Sequence, residues 1–204
     1  MSGEKQEQRR RQIEEAALEL LAQKGYRSTS MLQIAKKASA SNQTLYAWYG
    51  SKQALFKGII DVNGKGVRQF LETSLRDHED PLQALKSLGI HLLRFTTDSK
   101  AIIMNRAAIM DVSDTGLLSS AIDDIGRSHI FELICDLMDD LARAELFELD
   151  MGAEDAANSY IGLLFGEVQM RQALGAVGPL TEDDIRKKAE RAFELTCRLY
   201  KKTG

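Results

Sequence analysis

Proline is almost absent from this chain: 204 residues contain two, Pro81 and Pro179. Proline removes a backbone donor and clashes with the preceding helical turn, so its scarcity leaves long stretches free to run as helix. Five Val stand against 26 Leu and 22 Ala, so residues that favour strands are few and the best helix formers abundant. An all-α protein is expected, and the length suits one large domain or two. Hydrophobic content of 44% with 28% charge argues against a largely disordered chain. No apolar run reaches the roughly 18 residues of a membrane span, so no membrane partner is expected. The hydrophilic start MSGEKQEQRRRQ leads into no secretory core segment, which points to a cytoplasmic location. Cys135 and Cys197 lie far from each other and from any Cys/His ligand set, so buried thiols are expected, with no disulfide and no metal.

The net charge of -3 conceals an asymmetry. Residues 1–60 hold ten Lys/Arg and five Glu, net +5, whereas 61–204 hold 17 basic and 25 acidic residues, net -8. Basic charge gathered at one end suits phosphate binding, because each neutralised phosphate releases condensed counterions. A merely solvated basic surface would look the same by charge alone.

Helical punctuation in the head separates the two readings. Ile13, Ala17, Leu20 and Leu21 recur at helical spacing, so residues 5–24 form an amphipathic helix that Gly25 closes. Ser30 followed by Gln33 is a capping box, and Met31, Ile34, Ala35 and Ala38 give a second, short helix. After Ser39-Ala40, Ser41 caps a third helix over 42–49 that Gly50 ends. Two short helices joined by so tight a turn make a helix-turn-helix. In the third helix Leu45 and Tyr49 face the core, while Gln43, Thr44, Tyr46, Ala47 and Trp48 fall largely on other faces. Amides and hydroxyls near the start of a helix laid in the major groove meet base edges, and aromatic donors reach phosphates. Packing on neighbouring helices is the competing explanation for Tyr46 and Trp48. Ser51 caps a fourth helix that opens on Lys52, a cation against the positive end of the helix dipole, which costs roughly 0.3–1 kcal/mol unless an anion reverses the sign.

The run KGYRSTSMLQIAKKASASNQTLYAWYGSKQALF, residues 24–56, resembles the DNA-binding domain of the TetR family of bacterial transcriptional regulators. Its most specific part is Thr44-Leu45-Tyr46 followed by Tyr49, Ser51-Lys52 and Leu55-Phe56. The resemblance implies that Thr44 and its neighbours Ser41, Asn42, Gln43 and Ala47 enter the major groove of double-stranded DNA. It implies that Tyr46, Trp48 and Lys52 meet phosphates, as do Thr29 and Ser30 at the start of the second helix. Two positions depart from the family pattern. Ser39-Ala40 stands where Gly-Val is common, which asks Ser39 for a backbone conformation glycine takes more easily. Ala47 replaces what is often a larger contacting side chain. Arg9, Arg10 and Arg11 form either an arm reaching phosphate or the minor groove, or a solvated helix start.

In the acidic body a helix of roughly 37 Å over 52–76 is expected, then helices over 81–97, 100–111, 117–146, 154–173 and 181–202, for about nine in all. No internal repeat, low-complexity segment or long linker breaks the chain. The division is a DNA-binding domain over 1–56 and a larger ligand-binding and dimerisation domain over 57–204. The last helix carries Ile185, Ala189, Ala192, Phe193, Thr196, Leu199 and Tyr200 as a seam. The helix before it is apolar on several sides, with Gly162 and Gly166 four apart. Family resemblance turns these features into a homodimer through the last two helices, reading a palindromic operator. His91, Phe95, Met104, Arg106, Met110, His129, Phe131, Phe165 and Gln169 are candidates to line a pocket for a mostly apolar small molecule, the inducer that the resemblance implies.

Catalysis is not expected. No histidine has Glu three residues before it, as a di-metal helical bundle requires, and Asp123-Asp124 and Asp136, Asp139 and Asp140 read as solvated faces. No nucleotide loop, nucleophile elbow or zinc-binding HExxH appears, and no cofactor is expected. A repressor released by a ligand is the reading that follows, with a ligand-independent architectural or adaptor protein as the rival.

Overall fold

The computed structural model describes residues 3–76, 80–125 and 130–202. Among these it is all-α, with eleven helices: α1 (Gly3–Ser28), α2 (Met31–Lys37), α3 (Asn42–Tyr49), α4 (Lys52–Arg76), α5 (Pro81–Thr96), α6 (Ser99–Asp111), α7 (Leu117–Ile125), α8 (Glu132–Arg143), α9 (Gly152–Phe165), α10 (Val168–Ala173) and α11 (Glu182–Tyr200). They form two compact units, one of Met1–Gly64 with Ile103–Asp123 and the other of Lys65–Ile102 with Asp124–Gly204.

Sequence-local signals set the helix ends of the first unit. Gly25, at φ 76°, breaks α1 where the sequence ended it. Ser30 and Gln33 make both bonds of a capping box on α2, at 3.3 and 3.1 Å. Ser41 Oγ accepts from Thr44 N–H at 2.9 Å to start α3, and Gly50, at φ 75°, stops it. Ser51 Oγ caps α4 through Ala54 N–H at 3.0 Å. Ile13, Ala17, Ile34, Leu45, Leu55 and Phe56 are buried, so each of α1 to α4 contributes apolar surface to this unit.

In the second unit α11 packs along α5 and α9, and α8 lies on α9 and α5. Leu85, Leu88, Leu92, Met138, Leu141, Tyr160, Leu164 and Ala189 are among the residues of its buried core. Asp80 and Pro81 start α5, with Leu82 N–H donating to the Asp80 carboxylate at 2.9 Å. Arg94 on α5 forks onto Glu182 of α11 at 3.0 and 2.7 Å. Chain segments 146–148 and 200–202 pair through Glu148 N–H to Tyr200 O at 2.8 Å, which takes up the last carbonyl of α11, and through Lys202 N–H to Leu146 O at 3.2 Å.

Two expected helices each hold two elements among the described residues, which raises nine to eleven. Among the described residues, 117–146 holds α7 and α8, and α8 stops at Arg143 because Glu145 turns left-handed at φ 56°. Over 154–173, Gly166 at φ 49° and ψ -127° ends α9 before α10 begins. Gly166 is therefore the terminator of α9. A Cβ at Gly162 would meet nothing within 4 Å, so that position faces open space in the single chain. Close approach occurs instead at Gly89, where an added Cβ would lie 2.5 Å from Tyr160 Oη and 3.3 Å from Leu164 Cδ1. Within the α11 seam, Ile185, Ala189, Ala192 and Thr196 are buried inside the chain, whereas Leu199 is exposed.

Candidate nucleic-acid interface

The turn between α2 and α3 is tight because two backbone bonds close it: Ser39 N–H to Lys36 O at 3.2 Å and Ala40 N–H to Ala35 O at 2.8 Å. Ser39 adopts φ 51°, the left-handed conformation usual for glycine. From this turn α3 buries Leu45 alone and leaves Asn42, Gln43, Tyr46 and Ala47 exposed, Tyr46 at 51%. Thr44 is half-buried and its hydroxyl shares a 2.7 Å hydrogen bond with Ser41 Oγ, so both hydroxyls sit at the start of α3. Ser30 is exposed at the start of α2. Thr29 beside it is only 2% exposed and donates to Gly25 O at 2.8 Å, which ties the α1 break to α2.

Trp48 is half-buried under the Arg10 guanidinium, whose carbon lies 5.7 Å from the ring centroid, within cation–π reach. Arg9, Arg10 and Arg11 all lie on α1. Arg9 donates to Gln12 Oε1 at 2.9 Å and to the Ser39 carbonyl, and Arg11 pairs with Glu7 at 2.9 Å. Tyr49 donates to Glu14 at 3.5 Å. Burial pushes its phenol up to about 12, reinforced by the Glu14 charge, and burial likewise raises the Glu14 carboxyl.

Lys52 opens α4 half-buried. Its ammonium donates to Tyr26 O at 2.9 Å and sits 4.1 Å from the centroid of the Tyr26 ring. The cation that the sequence leaves in conflict with the helix dipole thus finds a carbonyl and an aromatic face in the fold itself, and keeps further N–H groups for an anion. Burial lowers its pKa, against the opposing pull of Asp114 and Asp111.

Asp111 is the residue that sequence reasoning missed. It is fully buried at the end of α6, and its carboxylate accepts from Tyr26 Oη at 3.1 Å, Thr115 Oγ1 at 2.9 and 3.0 Å and Leu118 N–H at 3.1 Å. Burial disfavours the charge, yet these donors outweigh it and hold the carboxyl below its usual value. One carboxylate therefore caps α7, closes the 111–118 turn and fixes the tyrosine against which Lys52 rests. An Asp followed by Thr115-Gly116 signals a turn, but no local pattern links it to Tyr26.

The described residues proposed to line a ligand pocket are divided between the two units. His91 and Phe95, in the second unit, meet Phe70 edge-on, at centroid distances of 4.7 and 5.5 Å. Phe131 and Phe165 pack half-buried on the core of that unit, and Gln169 is half-buried. Met104, Arg106 and Met110 belong to the stretch of α6 in the first unit, with Met104 buried and the other two exposed. His129 lies outside the described residues. A cleft of about 320 Å³ is lined by Leu82, Phe147, Phe193, Cys197, Arg198 and Lys201 among others, none of them a pocket candidate from the sequence. Gln172, three residues beyond Gln169, is the buried amide, donating to Thr97 O at 3.1 Å and Gly178 O at 3.0 Å. Cys135 and Cys197 are half-buried free thiols, both pushed up by burial. Among the described residues no cluster of His, Cys, Asp or Glu could hold a metal, and no helix is long and apolar enough to cross a membrane.

This fold and surface define a helix-turn-helix protein with an all-α body. Residues 13–59 match the family "Bacterial regulatory proteins, tetR family", and residues 83–202 match "AefR-like transcriptional repressor, C-terminal domain". The second match covers more than half of the chain, and the chain belongs to the TetR family of bacterial regulators. That membership bears out the resemblance read from residues 24–56 and places the chain outside the enzymes. The HTH-type transcriptional regulator AcrR of Shigella flexneri is 33% identical over 88 residues, 43% of this chain and 41% of that protein. The chain spans less than half the length of the curated relatives it matches. Its fold is shared by a protein of Mesorhizobium loti MAFF303099 assigned to the TetR family, with TM-score 0.80 and 22% identity over 96% of this chain and 98% of that one. It is also shared by the regulator FadR of Bacillus subtilis, solved with stearoyl-CoA, with TM-score 0.70 and 16% identity over 91% and 96% of the two chains.

Proposed function

We propose that this chain is a cytoplasmic, sequence-specific DNA-binding transcriptional repressor that acts as a homodimer and leaves a palindromic operator when a small molecule binds. The observation that carries the DNA-binding part is α3, a short helix that buries Leu45 and leaves Asn42, Gln43, Tyr46 and Ala47 exposed beside Ser41, Thr44 and Lys52. Net charge of +5 over residues 1–60 supports the same assignment. Gln43, Thr44 and their neighbours read base edges, while Ser30, Tyr46, Trp48 and Lys52 engage phosphates. Thr29, with its hydroxyl given to Gly25 O, acts by holding the start of α2 in place.

In this reading residues 1–56 bind DNA and residues 57–204 dimerise and take the ligand. The open face of α9 at Gly162, flanked by half-buried Ile161, Leu163 and Phe165, supports dimerisation through the last helices of the chain. Two heads on one two-fold axis then meet half-sites about one helical turn, or a multiple of it, apart. The aromatic group Phe70, His91 and Phe95 supports a mostly apolar ligand, and so does the likeness in fold to FadR, which was solved in complex with stearoyl-CoA.

Two classes of variant test the assignment of α3. Lys52→Ala and Tyr46→Ala are expected to weaken binding about equally for all sequences, with Lys52→Ala making the salt dependence shallower by about one counterion. Gln43→Ala and Thr44→Ala are expected to relax preference at individual bases by about 1–3 kcal/mol, measured by competition among single-base operator variants. If the two classes behave alike, α3 is not the reading helix.

A further inference from the structure

We propose that Arg9 is a positioning residue of the helix-turn-helix and not a DNA contact: from α1 it braces the α2–α3 turn in its left-handed conformation, and so sets the pose in which α3 meets DNA. This rests on the reading of α3 as the DNA-facing helix.

The need for a brace follows from Ser39. At φ 51° its Cβ crowds the following carbonyl, a conformation that glycine takes without that clash. The bonds from Ser39 N–H to Lys36 O and from Ala40 N–H to Ala35 O secure the turn from the α2 side. On the other side the Ser39 carbonyl is held by Arg9 Nη2, while Arg9 Nη1 donates to Gln12 Oε1 at 2.9 Å. Both ends of the fork are thus anchored, and they are mounted on a helix, which places a side chain more reproducibly than a loop does.

The neighbouring arginines fit the same plan. Arg10 covers the Trp48 ring of α3, and Arg11 pairs with Glu7 within α1. Each side chain of the basic triplet has a partner inside the head, unlike a solvated arm that folds only onto DNA. The chain departs from its family's glycine at the turn, and α1 supplies the compensation.

The test compares Arg9→Ala, Arg9→Lys and Ser39→Gly, alone and combined, in the full chain. Amide hydrogen exchange over residues 39–42 without DNA reports the brace, and affinity for a selected operator at several salt concentrations reports its consequence. Lysine keeps the charge but cannot span Gln12 and Ser39 as a planar fork does. Arg9→Lys and Arg9→Ala are both expected to speed exchange in the turn and to weaken operator binding roughly two- to tenfold. The salt slope stays unchanged, and Ser39→Gly restores most of the loss in either background. Wild-type affinity in Arg9→Lys, together with a salt slope shallower by about one in Arg9→Ala, would make Arg9 a phosphate contact and overturn the proposal. Absence of rescue by Ser39→Gly, or faster exchange with no change in binding, would overturn it as well. If the wild type selects no DNA sequence at all, the reading of α3 falls and the positioning role with it, while the exchange data still report whether the brace exists.

Discussion

Asp111→Ala is expected to destabilise the protein by about 3–5 kcal/mol, the cost of leaving several buried donors without an acceptor. The Tyr26 hydroxyl, the Thr115 hydroxyl and the Leu118 N–H all point at its carboxylate. For a chain of this length the melting temperature falls by roughly 6–20 °C. Asp111→Asn should cost about half as much, because it keeps one acceptor oxygen but turns an NH2 group toward donors. Tyr26→Phe and Thr115→Val remove one donor each and should cost about 1 kcal/mol apiece. The effect has a pH signature. The folded carboxyl titrates below its ordinary value of 3.8, so the unfolded chain takes up the proton first. The contribution is complete above about pH 5 and drains away as the pH falls through 3.8 and below, so acid should narrow the gap between wild type and Asp111→Ala. Denaturant unfolding at pH 7 and pH 3.5 measures this, and an Asp111→Ala variant within 1 kcal/mol of wild type at neutral pH would refute the role. Because Lys52 rests on Tyr26, the same substitution should also weaken DNA binding at temperatures where the variant remains folded.

The second large effect is at Gly89. In an exposed helix Gly→Ala stabilises by about 1 kcal/mol, but here the sign reverses. A Cβ at this position would lie 2.5 Å from Tyr160 Oη, 3.3 Å from Leu164 Cδ1 and 3.5 Å from Ala189 Cβ. Tyr160 cannot swing aside, since it is fully buried and donates to Leu85 O at 3.0 Å. Gly89→Ala should cost about 1–3 kcal/mol and Gly89→Val more. Removing the obstructing oxygen distinguishes this from a propensity effect. In the Gly89→Ala/Tyr160→Phe pair most of the loss should return, with a coupling energy well above the few tenths expected of independent sites. Stabilisation by Gly89→Ala alone would show that α5 and α9 do not approach so closely.

What could be read from the sequence was local. Ser30 with Gln33, Ser41, Gly25 and Gly50 act on their own neighbours within four residues, so the head's helices, their caps and the helix-turn-helix were legible. The aromatic and hydroxyl pattern on α3 carried the family as well. The end of α9 was not legible, because a glycine inside an apolar helical stretch looks alike whether the helix continues or stops, and only the φ of 49° at Gly166 marks the stop. The contacts inside each unit were illegible for a different reason: Tyr26 and Asp111 are 85 positions apart, Tyr160 and Leu85 are 75, and Arg9 and Ser39 are 30. The candidate ligand residues rest on residue type alone, and Met and Phe fill cores as readily as they line sites. Met104 is buried in the first unit, and His91 and Phe95 meet Phe70 in the second.

The central claim, that α3 and its flanking cations read operator DNA as a symmetric pair, is tested most directly by selecting bound sequences from a random double-stranded DNA pool at two salt concentrations. The account predicts recovery of an inverted repeat with half-sites about one helical turn or a multiple of it apart, its affinity falling steeply with salt. Enrichment without symmetry, or none beyond that of random DNA at either salt concentration, would contradict it.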